Sequence, residues 1–210
     1  RKESSAASDV YKRQQEAIDN ACDHCKLGYI PDPWKQRVAE ACAGWQRTHY
    51  GWDVDPSIIR VVPDVLEAYE IFLRELVGAG NSVIVPTPAY MPFLSVPKLY
   101  DVNVIEIEML QSGDTETGEA QWLFDFDAIE RAFAAGCHAF VLCNPHNPIG
   151  KVLTLEEELR LSDLAAQYDV RIFNDEIHAP FVFEGKHIPF PTISEQAALQ
   201  SMTATLSLIH

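Results

Sequence analysis

The sequence predicts an α/β fold built on a mainly parallel sheet, on three observations. Short apolar runs rich in β-branched residues alternate with amphipathic stretches of helical period. Those stretches open on capping residues and close on glycine or proline. The 210 residues are 47% hydrophobic and 22% charged, enough apolar material for a sizeable core and unlike a disordered, collagen-like or coiled-coil chain.

Taken in order, residues 1–14 (RKESSAASDVYKRQ) are Ser/Ala-rich and basic with no apolar run. They are expected to be a disordered or artefactual tail, not a signal peptide. Helices over 15–27 and 33–47 flank a turn at 28–33, where Pro31 and Pro33 break helical geometry. A second turn at His49-Tyr50-Gly51-Trp52-Asp53 leads to the β-branched run 58–62, a predicted strand. From Asp64 the pattern is helical: Val65, Leu66, Tyr69, Phe72, Leu73, Leu76 and Val77 share one stripe. Asp64 with Glu67 resembles a capping box, and Gly78 and Gly80 end the helix. Strands follow at 82–85, 102–107, 138–143 and 170–173. Between them lie helices at 89–99, 126–135 and 155–168, the last opened by Thr154 and Glu157, and a polar loop at 111–121. A boundary near residue 58 separates a helical N-terminal part, 15–57, from an α/β body, 58–205.

Sixteen Lys+Arg against 31 Asp+Glu leave a formal charge of −15. Such a surface repels phosphate backbones and anionic membranes, so neither nucleic acid nor membrane is an expected partner. Five cysteines at irregular spacing, without a secretory leader, suggest reduced thiols and a cytoplasmic protein. Cys22 and Cys25 would share one helix face as ordinary thiols, since no second pair completes a metal site.

In parallel α/β sheets, ligands bind beyond the carboxyl ends of strands. The residues expected there are Asp64-Val65-Leu66 at a helix start, Pro88-Ala89-Tyr90, the run Asn144 to Gly150, and Asn174-Asp175-Glu176-Ile177-His178. An aromatic, an amide, a carboxylate and an imidazole beside an anion-ready helix end suit a flat, anionic nitrogen heterocycle.

Asn144-Pro-x-Asn147-Pro-x-Gly150, with Asp175 at a strand end 28 residues after Asn147, resembles the fold-type I pyridoxal 5'-phosphate (PLP) enzymes of the class I/II aminotransferase superfamily. Tyr50-Gly-Trp52, Pro88-Ala-Tyr90-x-Pro-Phe93, Cys143-Asn-Pro-His-Asn-Pro148 and Asp175-Glu-Ile-His178 are similar to the cystathionine β-lyase, or C–S lyase, branch. The resemblance runs from about residue 17 to about 205. It implies a PLP-binding large domain at 58–205, incomplete at its C-terminal end, and part of a small domain at 15–57. It implies that Asp175 holds the ring nitrogen protonated, because an opposite charge favours the charged form. Asn147 would bond the cofactor's 3' oxygen, Tyr90 would stack on the ring, and His178 would lie near the same oxygen. The N–H groups of Val65 and Leu66 would hold the phosphate, and Tyr29 would reach the phosphate of a neighbouring subunit in a homodimer.

Two departures stand out. The family often has Gly where this chain has Asp64, and a carboxylate opposes a phosphate. The cofactor-bearing lysine is expected near Ile209, where the chain reads Leu206-Ser207-Leu208-Ile209-His210, a tail outside the family pattern. Lys151 belongs to a different motif position, so no catalytic residue is assigned. The expected function is that of a PLP-dependent carbon–sulfur β-lyase. It would convert cystathionine or a cysteine S-conjugate to pyruvate, ammonia and a thiol, with this fragment inactive alone. The alternatives are a PLP-dependent aminotransferase and a non-catalytic acidic interaction module.

Overall fold

A computed structural model describes residues 12–20, 29–113 and 121–205. The predicted pair Cys22 and Cys25 and the tail 206–210 lie outside the described residues. The chain divides into two compact units, residues 1–36 and 37–210. In the first, helix α1 covers residues 12–20 with its side chains exposed. A second helix, α2, runs over Asp32–Tyr50 and carries an exposed Lys35–Asp32 pair in its first turn.

In the second unit α2 buries Ala39, Cys42, Ala43 and Gln46, the i, i+3, i+4, i+7 spacing of one helix face. Helix α3, Val65–Phe72, starts where Asp64 Oδ1 accepts the Glu67 N–H at 2.8 Å. It runs on into a π-helical turn, Leu73–Val77, closed by Gly78 at φ 80°, whose N–H reaches Leu73 C=O. That backbone angle is one that side-chain-bearing residues seldom adopt.

Strand β1, Ser82–Thr87, follows, then α4, Pro92–Ser95, and β2, Asn103–Glu108. The short strands β3, Leu110–Ser112, and β4, Gln121–Leu123, pair antiparallel as a separate ribbon. Then come α5, Phe126–Ala134; β5, Ala139–Cys143; α6, Leu155–Gln167; β6, Arg171–Asp175; α7, Glu195–Gln200; and β7, Ser201–Ala204. The main sheet has the order β2-β1-β5-β6-β7 and is parallel throughout. Alternation along its strands builds two cores. Ile84, Phe140, Leu142 and Ile172 face α5 and α6 with Ile129, Phe133, Leu161 and Ala165. Val83, Val85, Val141, Cys143 and Phe173 face α3 with Tyr69 and Phe72. Because both faces are covered, β5 is apolar from end to end. Helix α6 opens on the predicted capping box: Thr154 Oγ1 accepts the Glu157 N–H, and Glu157 Oε2 accepts the Thr154 N–H.

Three expectations need correction. Residues 58–62 form no strand. A 3₁₀ turn, Pro56–Ile58, capped by Asp55, gives way to unpaired backbone, with Ile58 67% exposed. β-Branched residues favour strands only where a pleated, half-buried surface receives them, and no neighbouring strand does so here. The predicted helix over 89–99 splits into α4 and a 3₁₀ segment, Val96–Tyr100, since Pro97 has no N–H to continue the ladder. The predicted loop 111–121 contains the edges of the β3–β4 ribbon; residues 114–120 lie outside the described ones. Among the described residues no helix is long and apolar enough to cross a membrane.

Candidate functional site

After β1 the chain moves outward to β2, then returns to place β5 on the other side of β1. The carboxyl ends of β1 and β5 therefore flank a topological switch point, the usual ligand crevice of an open parallel sheet. Helix α3 feeds β1 through a short turn and packs along the sheet face. It must run antiparallel to β1, which points its N-terminus toward the same carboxyl edge.

Asp175 ends β6 on the α3 face and is 5% exposed. Its Oδ1 accepts the Ile177 N–H at 3.1 Å, and Cys143 Sγ, opposite it in register, stands 3.8 Å from Oδ2. Among the described residues no lysine or arginine forms an ion pair with it. Burial pushes its carboxyl above the ordinary range, against the Ile177 N–H and the nearby His178, which favour ionisation. His178 is partly buried and precedes the 3₁₀ turn Ala179–Phe181.

Tyr90 lies just past β1, 39% exposed, its ring edge-on to Phe93 at 5.6 Å. Phe93 belongs to the α3-side core, so Tyr90 stands at that core's carboxyl rim. Asn147 is half-buried in the loop from β5 to α6, and its amide makes no hydrogen bond among the described residues. Val65 and Leu66 open α3, and Asp64 caps Glu67 rather than either of their N–H groups. Tyr29 is exposed in the other unit. The fold thus collects Val65, Leu66, Tyr90, Asn147, Asp175 and His178 at one edge of the second unit, whereas Tyr29 belongs to the first.

Several buried polar residues that sequence reasoning left without a role support this edge. His146 is 3% exposed and its Nε2 meets Pro88 C=O at 2.8 Å, tying the β5 loop to the β1 loop. Asn144 has a structural role: Oδ1 accepts the Leu153 N–H, and Nδ2 donates to Glu158 Oε1 at 2.6 Å. Glu158 sits inside an acidic run that looks like solvated helix start. Its spacing from Leu161 and Ala165, three and seven residues on, is what places it on the buried face. Lys151 is held by Glu157 at 2.8 Å.

At this edge Asp175 is a buried carboxyl that pairs with no lysine or arginine among the described residues, an arrangement that suits a ligand bringing its own positive charge. The Aminotransferase class I and II family profile matches residues 8–207, and the chain belongs to that family. It is 36% identical over 191 residues to the cystathionine beta-lyase of Corynebacterium glutamicum, covering 91% of this chain and 48% of that protein. Cystathionine beta-lyase PatB of Bacillus subtilis is 30% identical over 191 residues, with 90% and 47% covered. The structure of cystalysin from Treponema denticola, which contains a pyridoxal 5'-phosphate cofactor, matches with TM-score 0.78 at 28% identity, over 90% of this chain and 47% of that one. The chain spans about half the length of the curated relatives it matches.

Family members bind PLP, and the residues present fit it. The Asp175 carboxylate, with no lysine or arginine pair among the described residues, suits a protonated pyridine nitrogen. The Asn147 side-chain amide, unbonded among the same residues, suits a ring oxygen, and the half-exposed ring of Tyr90 suits an aromatic ring.

Proposed function

We propose that the chain forms the cofactor-binding part of a PLP-dependent carbon–sulfur β-lyase acting on cystathionine or a cysteine S-conjugate. The observation that carries this reading is Asp175, an acid buried at the carboxyl edge that pairs with no lysine or arginine among the described residues. When bound, PLP supplies an electron sink for the pair left behind by the substrate's α-proton. Asp175 holds a proton at the ring nitrogen. Asn147 donates to the 3' oxygen with His178 beside it, and Tyr90 covers one ring face. The Val65 and Leu66 N–H groups, at the positive end of α3, take the phosphate. The likeness to cystathionine β-lyases supports β-elimination, in which the α-proton and the β-thiolate leave, the thiolate takes up a proton to give the thiol, and water hydrolyses the released enamine to pyruvate and ammonia. Lys151 is engaged by Glu157 and is assigned no part in moving the proton. A cytoplasmic homodimer with Tyr29 reaching the neighbouring phosphate completes the proposal.

The chain alone, titrated with PLP, is expected to bind it reversibly and to show no borohydride-fixed adduct at a single lysine. Joined in one polypeptide to the C-terminal half of the C. glutamicum relative, it is expected to release pyruvate from cystathionine. Amino transfer to a 2-oxo acid without pyruvate release would make it an aminotransferase. A folded chain that ignores PLP would favour the interaction module.

Asp64 supplies a separate test. Asp64→Asn keeps a good N-cap while removing a negative charge beside the phosphate site. PLP affinity is expected to rise about two- to fivefold at low salt, and the gain should shrink as salt screens the exposed carboxylate. Fluorescence titration at two ionic strengths measures both.

A further inference from the structure

Glu176 follows Asp175 directly, yet its side chain is 1% exposed on the opposite face of the sheet edge, where it meets Asn174. Its Oε1 accepts two hydrogen bonds, from Asn174 Nδ2 at 2.7 Å and from the Phe190 N–H at 2.8 Å. Its Oε2 faces His187 Nε2 at 3.4 Å, within ion-pair reach, and His187 is itself 2% exposed. Its N–H donates to Ala204 C=O, and Asn174 Nδ2 also reaches Thr203 Oγ1. The carboxylate therefore ties the residue before Asp175 to the far end of the loop that carries His178 and returns at Phe190, while the Glu176 N–H and the Asn174 amide tie the same segment to strand β7. Among the described residues the Asp175 carboxyl itself meets only the Ile177 N–H and a distant thiol. An apolar side chain would fill the place of Glu176 without the cost of desolvating a charge. What the carboxylate adds is direction: two fixed acceptor bonds on either side of the loop.

We propose that Glu176 is a positioning residue, whose buried carboxylate holds the 174–178 backbone so that Asp175 presents its own carboxylate to the cofactor nitrogen. This rests on the assignment of Asp175 above. It predicts that loosening Glu176 disturbs Asp175 before it disturbs the fold. The Ile177 N–H, donated to Asp175 Oδ1, reports that geometry without any cofactor.

The test compares the whole chain with Glu176→Ala, Glu176→Gln and Asp175→Asn, by amide hydrogen exchange and by titration with PLP. In Glu176→Ala, exchange at Ile177 is expected to quicken about tenfold and PLP to bind about tenfold more weakly. Exchange at Ile172, in the middle of β6, reports global opening, and Ile177 is expected to quicken by a larger factor than Ile172. Glu176→Gln keeps an acceptor oxygen and should fall between wild type and Glu176→Ala. It decides the matter if Glu176→Ala fails to fold. Unchanged Ile177 exchange in a folded Glu176 variant overturns the proposal, whether or not PLP binds. Weaker PLP binding in Asp175→Asn but not in the Glu176 variants overturns the positioning role alone. Unchanged PLP binding in Asp175→Asn overturns the assignment of Asp175 instead.

Discussion

Asp175→Asn is expected to move cofactor affinity and chain stability in opposite directions. Asparagine keeps the size of the side chain and an oxygen for the Ile177 N–H, but it cannot carry charge. Deleting one partner of a buried, hydrogen-bonded charge pair costs about 2–5 kcal/mol of binding, so PLP affinity should fall at least about thirtyfold. In the empty chain the same carboxylate is a liability, because burial raises its pKa above the ordinary 3.8. The sign follows from proton linkage. Between the ordinary value and the raised one, the folded chain binds more protons than the unfolded chain, so stability falls as pH rises through that window. Asparagine removes the penalty. The melting temperature of the cofactor-free variant should equal wild type well below pH 3.8 and exceed it near neutrality, while the increase produced by added PLP shrinks. Equal melting curves at neutral pH, together with equal PLP affinity, would sink the assignment.

The contrast between Asp175 and Glu158 shows how far residues announce their own places in the fold. Asp175 was legible because it ends a β-branched, apolar run and sits at fixed distance from the Asn-Pro loop; the strand brought it to the edge that the βα alternation predicts. The sheet was legible for the same reason, since strands buried on both faces are continuous apolar runs. Residues 58–62 carry that same local pattern and form no strand, because pairing depends on a neighbour that no local window contains. The β3–β4 ribbon is the converse case, where Leu110, Trp122 and Leu123 pair across a segment whose polarity suggests a loop. The inner polar residues were harder. Asn174, Glu176 and His187 meet only after the chain has left β6 and returned at Phe190. Their charge class says surface, and only the three-dimensional closure of that loop says otherwise. Tyr29 belongs to a third kind, where the suggested partner is another copy of the chain.

Glu158 carries the second large effect. Its carboxyl is 1% exposed, and burial, reinforced by the neighbouring Glu176 and Glu157 carboxylates, pushes it up to about 8 against the bond from Asn144, which favours ionisation. Its Oε2 has no hydrogen-bond partner among the described residues, as suits the oxygen that bears the proton. Near neutrality the folded chain therefore keeps a proton on Glu158 that the unfolded chain releases. Stability contributed at this position should be intact below the ordinary value of 4.5 and decline as pH rises toward about 8. At one pKa unit per ~1.4 kcal/mol, the loss on reaching the raised value is several kcal/mol at most. Glu158→Gln mimics the neutral acid and keeps an acceptor for Asn144 Nδ2. At pH 4 its melting temperature should match wild type. At pH 8 it should lie about 5–10 °C higher, as expected for a few kcal/mol in a chain of this size. Glu158→Ala should be less stable at both pH values, because it strands the Asn144 amide beneath the loop that carries Asn147. A wild-type and Glu158→Gln pair whose melting temperatures run parallel from pH 4 to pH 8 would mean that Glu158 titrates as a solvated acid, with its charge met by groups other than Asn144.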